Sequence, residues 1–224
     1  MVVCAPWGAE HMAEYGEIHD GEPTGIMTGL VEGTRVATAM GWRPVEAIAM
    51  GDKVLTFDAG LQRVTEVLRD PLWSGESACP RRFWPLEVPR GALGNRTVIR
   101  VLPDQAMLLE SDAAEALYGD PFALLPGEVL EGIRGIVRVP PKRDQYVVVL
   151  HFAEDQVVFD ETGALFFAPS SRDLLDRAMR DDEGPLYTVL PPEEARALAA
   201  QIEIELSTDA IPAPRDMRAA VSSF

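Results

Sequence analysis

Lysine, cysteine and histidine are all scarce in this chain, and each shortage narrows what it can do. Lysine occurs only as Lys53 and Lys142, so arginine carries almost all of the positive charge. Basic groups number 20 against 36 acids, a formal net charge of −16. Such a surface repels phosphates and anionic lipid, which argues against nucleic acid and membrane surfaces as partners. The two cysteines, Cys4 and Cys79, are far apart and make neither a zinc motif nor a disulfide framework. Of the histidines, His11 and His19 sit among acids, but no third ligand lies at a helical or hairpin spacing, so no metal site is assigned there. No apolar run is long enough to span a bilayer. The N-terminus carries Glu10, Glu14, Glu17, Asp20 and Glu22 with no basic or apolar leader segment, so it does not read as a secretory signal. The default expectation is a cytoplasmic protein, with export independent of a signal as the alternative.

What is present is enough apolar material for a core, 47% of 224 residues, arranged mostly with strand periodicity. The stretch Gly29 to Gly60 alternates through Arg35–Ala39, turns at Gly41-Trp42, runs through Arg43–Ile48, turns again at Gly51-Asp52 and alternates through Lys53–Asp58. Short apolar runs follow at 83–88, 97–102 and 106–109. Ser111 reads as the N-cap of a short helix. After Phe122–Leu125, Pro126-Gly127 reads as a turn and Glu128–Val139 as another β segment. Gln145–Phe152 (QYVVVLHF) is the most β-prone run, and Asp155–Asp160 is its expected hairpin partner. The character then becomes helical, over 171–179 and again from Pro191, where Ala195, Leu198, Ala199 and Ile202 form one stripe. The expected organisation is an N-terminal arm over 1–25, a mainly β domain over 26–170, and a short α-helical C-terminal extension and tail over 171–224.

The run GLVEGTRVATAMGWRPVEAIAMGDKVLTFDAGLQRV resembles the opening block of Hint domains, the hedgehog/intein fold, in its bacterial branch. Gly33-Thr34, Gly41, Pro44-Val45-Glu46, Gly51-Asp52, Val54, Thr56, Asp58 and Gly60 carry the resemblance. Weaker matches follow at Gly91-Ala92-Leu93-Gly94, at Pro103-Asp104 and from Tyr146 to Gly163. The resemblance covers about residues 29 to 168 and implies a Hint-like β fold.

Active Hint domains cut or splice their own backbone. A Cys or Ser at the first position attacks the preceding carbonyl, a Thr/Ser-x-x-His element orients the amide and moves a proton to the departing nitrogen, and a later His or Asp completes the site. In this chain the first position falls on Gly29. The hydroxyl position falls on Leu102, the His position on Gln105 and the third position near Asp155. Gly29 has no nucleophile, and an amide cannot relay a proton near neutral pH. Thr28, one residue early, and Cys4 or Cys79 are substitute nucleophiles of low merit, and His151 reads as a packed or cleft-lining residue rather than a base. Asp52, Asp58, Asp104, Asp155, Asp160 and Glu161 have no calcium-loop spacing and fit turn chemistry. The resulting expectation is a degenerate, non-catalytic Hint-like protein with no cofactor. It would act as a binding or assembly module for a protein or peptide, with a groove at the former cleft. An autoprocessing domain with an atypical nucleophile is the alternative.

Overall fold

The computed structural model describes residues 25–170 and 187–209. Cys4, His11, His19, the rest of the arm up to residue 24 and the helix expected over 171–179 lie outside these residues.

The chain is mainly β. Strand β1 (Leu30–Val31) lies in a six-stranded antiparallel sheet. The hairpin β2 (Arg35–Thr38)/β3 (Gly41–Pro44) and the following β4 (Lys53–Thr56) and β5 (Gly60–Arg63) belong to a second sheet of eight strands. The motif residues of the opening block hold this crossing from sheet to sheet. At the crossing, Thr34 N–H and Oγ1 both donate to Val31 O, at 3.0 and 2.7 Å. The Glu46 carboxylate accepts the Gly33 N–H at 3.0 Å, and Val45 N–H donates to Thr34 O at 2.8 Å, so the Pro-Val-Glu turn buttresses the Gly-Thr turn. Asp52 accepts from Ala49 N–H at 3.0 Å and pairs with Arg43 at 3.1 Å. Each is a turn or cap that satisfies backbone donors which strand pairing leaves over.

The six-stranded sheet is completed by β6 (Glu66–Pro71), β7 (Leu86–Val88), β8 (Ile99–Val101), β11 (Val137–Arg138) and β12 (Tyr146–His151), in the order β11-β7-β8-β1-β12-β6. The eight-stranded sheet adds β9 (Ala106–Glu110), β10 (Phe122–Pro126), β13 (Gln156–Phe159) and β14 (Leu165–Ala168). The expected hairpin between 145–152 and 155–160 does not form. β12 pairs with β1 and β6, whereas β13 pairs with β14 and β4. Val147 to Leu150 are all buried, so β12 needs cover on both faces and neighbours on both edges. The short bend after Phe152 takes the chain into the other sheet instead. The expected β segment over 128–139 is also shorter than the pattern suggests. Two 3-10 turns precede the two-residue β11, because Gly132 (φ +95°) and Arg134 (φ +44°) take left-handed conformations that end extended pairing.

Helix α1 (Asp112–Tyr118) begins where Ser111 predicts, with Ser111 Oγ accepting from Ala113 and Ala114 N–H. Helix α2 (Pro192–Asp209) packs its stripe into the main core: Ala195, Leu198, Ala199 and Ile202 are buried in the same cluster as Val129, Leu130 and Ile133. Its Glu205 carboxylate also accepts from Ser111 Oγ at 2.9 Å and Ala113 N–H at 2.6 Å, which ties the two helices end to side. Among the described residues no helix is long and apolar enough to cross a membrane.

Candidate functional site

Gly29 leads into β1, which runs antiparallel to β12 with Leu30 opposite Val148 and Val31 opposite Val147. The chain reaches β1 through a bend that leaves Gly29 at φ +114°, a conformation that side chains resist. The space is closed as well. A Cβ at this position would lie 2.7 Å from Val147 Cγ1, 3.0 Å from Val149 Cγ2 and 3.2 Å from Val148 O. Both the backbone and its surroundings therefore require glycine.

Gln105 faces this glycine. The Leu102-Pro103-Asp104 turn aims it inward: Gln105 N–H donates to Leu102 O at 3.1 Å, and Asp104 N–H donates to Met27 O at 2.7 Å. The side chain is 2% exposed and fully bonded. Its Oε1 accepts from Gly29 N–H at 2.8 Å and from Thr28 Oγ1 at 3.4 Å. Its Nε2 donates to Ala106 O and to Phe167 O, both at 2.8 Å. This network fixes the amide orientation, since a flip would set donor against donor and oxygen against two carbonyls. The atom opposite the Thr28–Gly29 amide nitrogen is thus an acceptor with no proton to give.

Leu102 is fully buried, in a cluster with Val31, Leu72, Phe83 and Val147. The same Val147 crowds Gly29, so Leu102 and Gly29 both border this apolar cluster. The space left between Thr28, Gly29, Gln105, Val149, Phe167 and Pro169 is about 10 Å³, at most one water. The groove expected here is absent, because valine side chains and Gln105 fill it.

Asp155 does not line this space; its carboxylate accepts the Ser170 N–H at 2.9 Å. His151 shares a face of β12 with Val147 and Val149, and its Nδ1 lies 3.2 Å from the carbonyl of Pro169, a residue that lines the closed space. Cys79 is half-buried; desolvation pushes its thiol up, away from the reactive thiolate. The acids are dispersed. Asp52 pairs with Arg43, Asp58 accepts from the Tyr187 hydroxyl, and Glu161 pairs with Arg35. Asp160 caps the Thr162 N–H at 2.6 Å, and burial raises its carboxyl above the usual range. Among the described residues no three His, Cys, Asp or Glu gather as metal ligands.

The room that is missing at Gly29 is found past the other end of β1. An open cleft of about 770 Å³ lies among Glu32, Arg35, Trp42, Arg96, Arg100 and Lys142. Little in the residue pattern points to it, since these residues come from four separate stretches. The one available signal was that one of only two lysines falls at Lys142.

A profile of the Hint domain family, Hint_2, matches residues 28–165. Among solved structures the chain is similar to a splice-inactive variant of the AceL NrdHF class 3 split intein, at 18% identity over 64% of this chain and 99% of that one, with a TM-score of 0.39. It is also similar to a bacterial intein-like domain from Clostridium thermocellum, at 17% identity over 63% and 99% of the two chains, with a TM-score of 0.42. A third likeness, to the gp41-1 intein, has 13% identity over 62% and 97%, with a TM-score of 0.39. No curated protein sequence matches.

Proposed function

The chain belongs to the Hint domain family, and on that premise we propose that it is a non-catalytic member acting as a binding or assembly module for a protein or peptide. The observation that carries this reading is Gly29. The position that would hold the nucleophile has neither a side chain nor space for one, with Val147 Cγ1 2.7 Å from where a Cβ would sit. Gln105 adds to it by presenting an acceptor oxygen to the Gly29 N–H at 2.8 Å, where a self-cleaving site needs a proton donor. The net charge of −16 supports a protein or peptide partner over nucleic acid.

One observation favours the autoprocessing alternative. The Thr28 hydroxyl borders the residual cavity, and the carbonyl before it, Met27 O, is polarised by Asp104 N–H at 2.7 Å. That hydroxyl, however, donates to an amide oxygen too weakly basic to take its proton. Intact mass of the purified protein, followed over days with and without added thiol, separates the readings. The non-catalytic reading expects an unchanged full-length mass. A fragment beginning at residue 28 or 29 that disappears in Thr28→Ala would establish the alternative.

A further inference from the structure

The open cleft past β1 differs in its electrostatics from the rest of this acidic protein. Arg35 pairs with Glu161, and Arg100 with Glu87 at 3.3 Å. The Asp160 carboxylate is turned onto the Thr162 N–H. The exposed Arg96 and Lys142 have no ion-pair partner among the described residues, and the acid left over beside them is Glu32. Trp42 and Val98, 44% and 54% exposed, add an apolar wall. A cleft of about 770 Å³ with two uncommitted cations and an apolar side is sized and charged for an acidic peptide.

We propose that the occupant is the N-terminal arm of the same chain, seated against Arg96 and Lys142. Three further observations support that choice. The arm is acidic throughout, with Glu10, Glu14, Glu17, Asp20 and Glu22 and no Lys or Arg before Arg35. Met12, Tyr15 and Ile18 interleave those acids and match the mixed wall of the cleft. Ile26, the described residue that follows the arm, is also linked to the cleft wall through backbone hydrogen bonds. Ile26 N–H donates to Leu72 O at 3.0 Å, Leu72 N–H donates to Gln145 O at 2.7 Å, and Gln145 lines the cleft and accepts the Lys142 N–H at 3.1 Å. A segment of 24 residues spans up to about 80 Å when extended, ample for the path. The seated arm is a competitor built into the chain, which an acidic peptide from another protein must displace. This rests on the uncleaved chain of the non-catalytic reading, and cross-links report on the arm while intact mass reports on cleavage.

The test is zero-length carbodiimide cross-linking of the full chain, which joins lysine amines to carboxylates in contact, with the linked peptides read by mass spectrometry. Lys142 is expected to link to the arm acids between Glu10 and Glu22 at low salt. The yield should fall at least about fivefold in 1 M NaCl, with Lys53 as the internal control. In an equal mixture of ¹⁴N- and ¹⁵N-labelled protein the links should join like isotopes. An arm yield at Lys142 no higher than at Lys53, links indifferent to salt, or links of mixed isotope would each overturn the proposal, the last by assigning the cleft to a second copy. As a second reading, the double variant Arg96→Glu/Lys142→Glu should speed cleavage of the arm by a glutamate-specific protease about fivefold or more. An unchanged rate also overturns it.

Discussion

The two ends of β1 contrast within a few residues of chain. Before Leu30, the facing Gln105 side chain is fully spent: it uses both amide hydrogens and accepts twice, and the remaining volume is about 10 Å³. After Val31, the chain borders about 770 Å³ where Arg96 and Lys142 have no ion-pair partner among the described residues. The first region is built as core and the second as surface. A fully bonded, close-packed site stabilises but offers a ligand nothing, whereas uncommitted charge beside a cleft contributes little to folding and is available to bind.

Gly29→Cys is the strongest attempt to break this contrast. It would introduce a nucleophile by type, yet it combines left-handed strain with a contact at 2.7 Å. A loss of about 3–5 kcal/mol in chemical denaturation is expected, with no cleavage. The loss should shrink by about 1 kcal/mol or more in a Val147→Ala background, the sign of direct coupling. A cost under about 1 kcal/mol in the wild-type background would mean that the region is not closed. Gln105→Ala comes next, at about 2–4 kcal/mol, because it strands the buried Gly29 N–H and two carbonyls.

The third test concerns pH. Burial raises the Asp160 carboxyl, so the folded protein holds that proton more tightly than the unfolded chain does. The stabilisation is complete below the usual aspartate range and is lost as pH rises through the raised value. Asp160→Asn should remove that part of the stability-versus-pH curve while keeping the acceptor for Thr162 N–H. A curve parallel to wild type would show that Asp160 does not titrate in this way. The smallest effect belongs to the open side. Arg96→Ala and Lys142→Ala should each leave stability within about 0.5 kcal/mol of wild type, and a larger loss would mean that these cations are structural after all.

Much of the fold was legible because it is local. Gly33-Thr34, Pro44-Val45-Glu46 and Gly51-Asp52 are turn and cap chemistry with fixed spacing, and the structure uses the first two where the chain crosses between sheets and the third in the turn that leads into β4. Ser111 caps α1, and the stripe Ala195, Leu198, Ala199 and Ile202 is the buried face of α2. Strand partnership was not local. The β-prone runs at 145–152 and 155–160 look like a hairpin, but partners far away in sequence claim both.

The candidate site divides in the same way. The residues alone establish that Gly29 carries no nucleophile, that Gln105 cannot relay a proton and that the chain is strongly acidic, since these are properties of side-chain type. Only the tertiary structure decided that Gly29 has no space for a side chain, that Gln105 holds its amide, that Asp155 lies elsewhere, and that Arg96 and Lys142 share a cleft. Those facts depend on which side chains strand pairing brings together: β12 carries Val147 and Val149 against Gly29, a contact more than a hundred residues apart that no local pattern encodes.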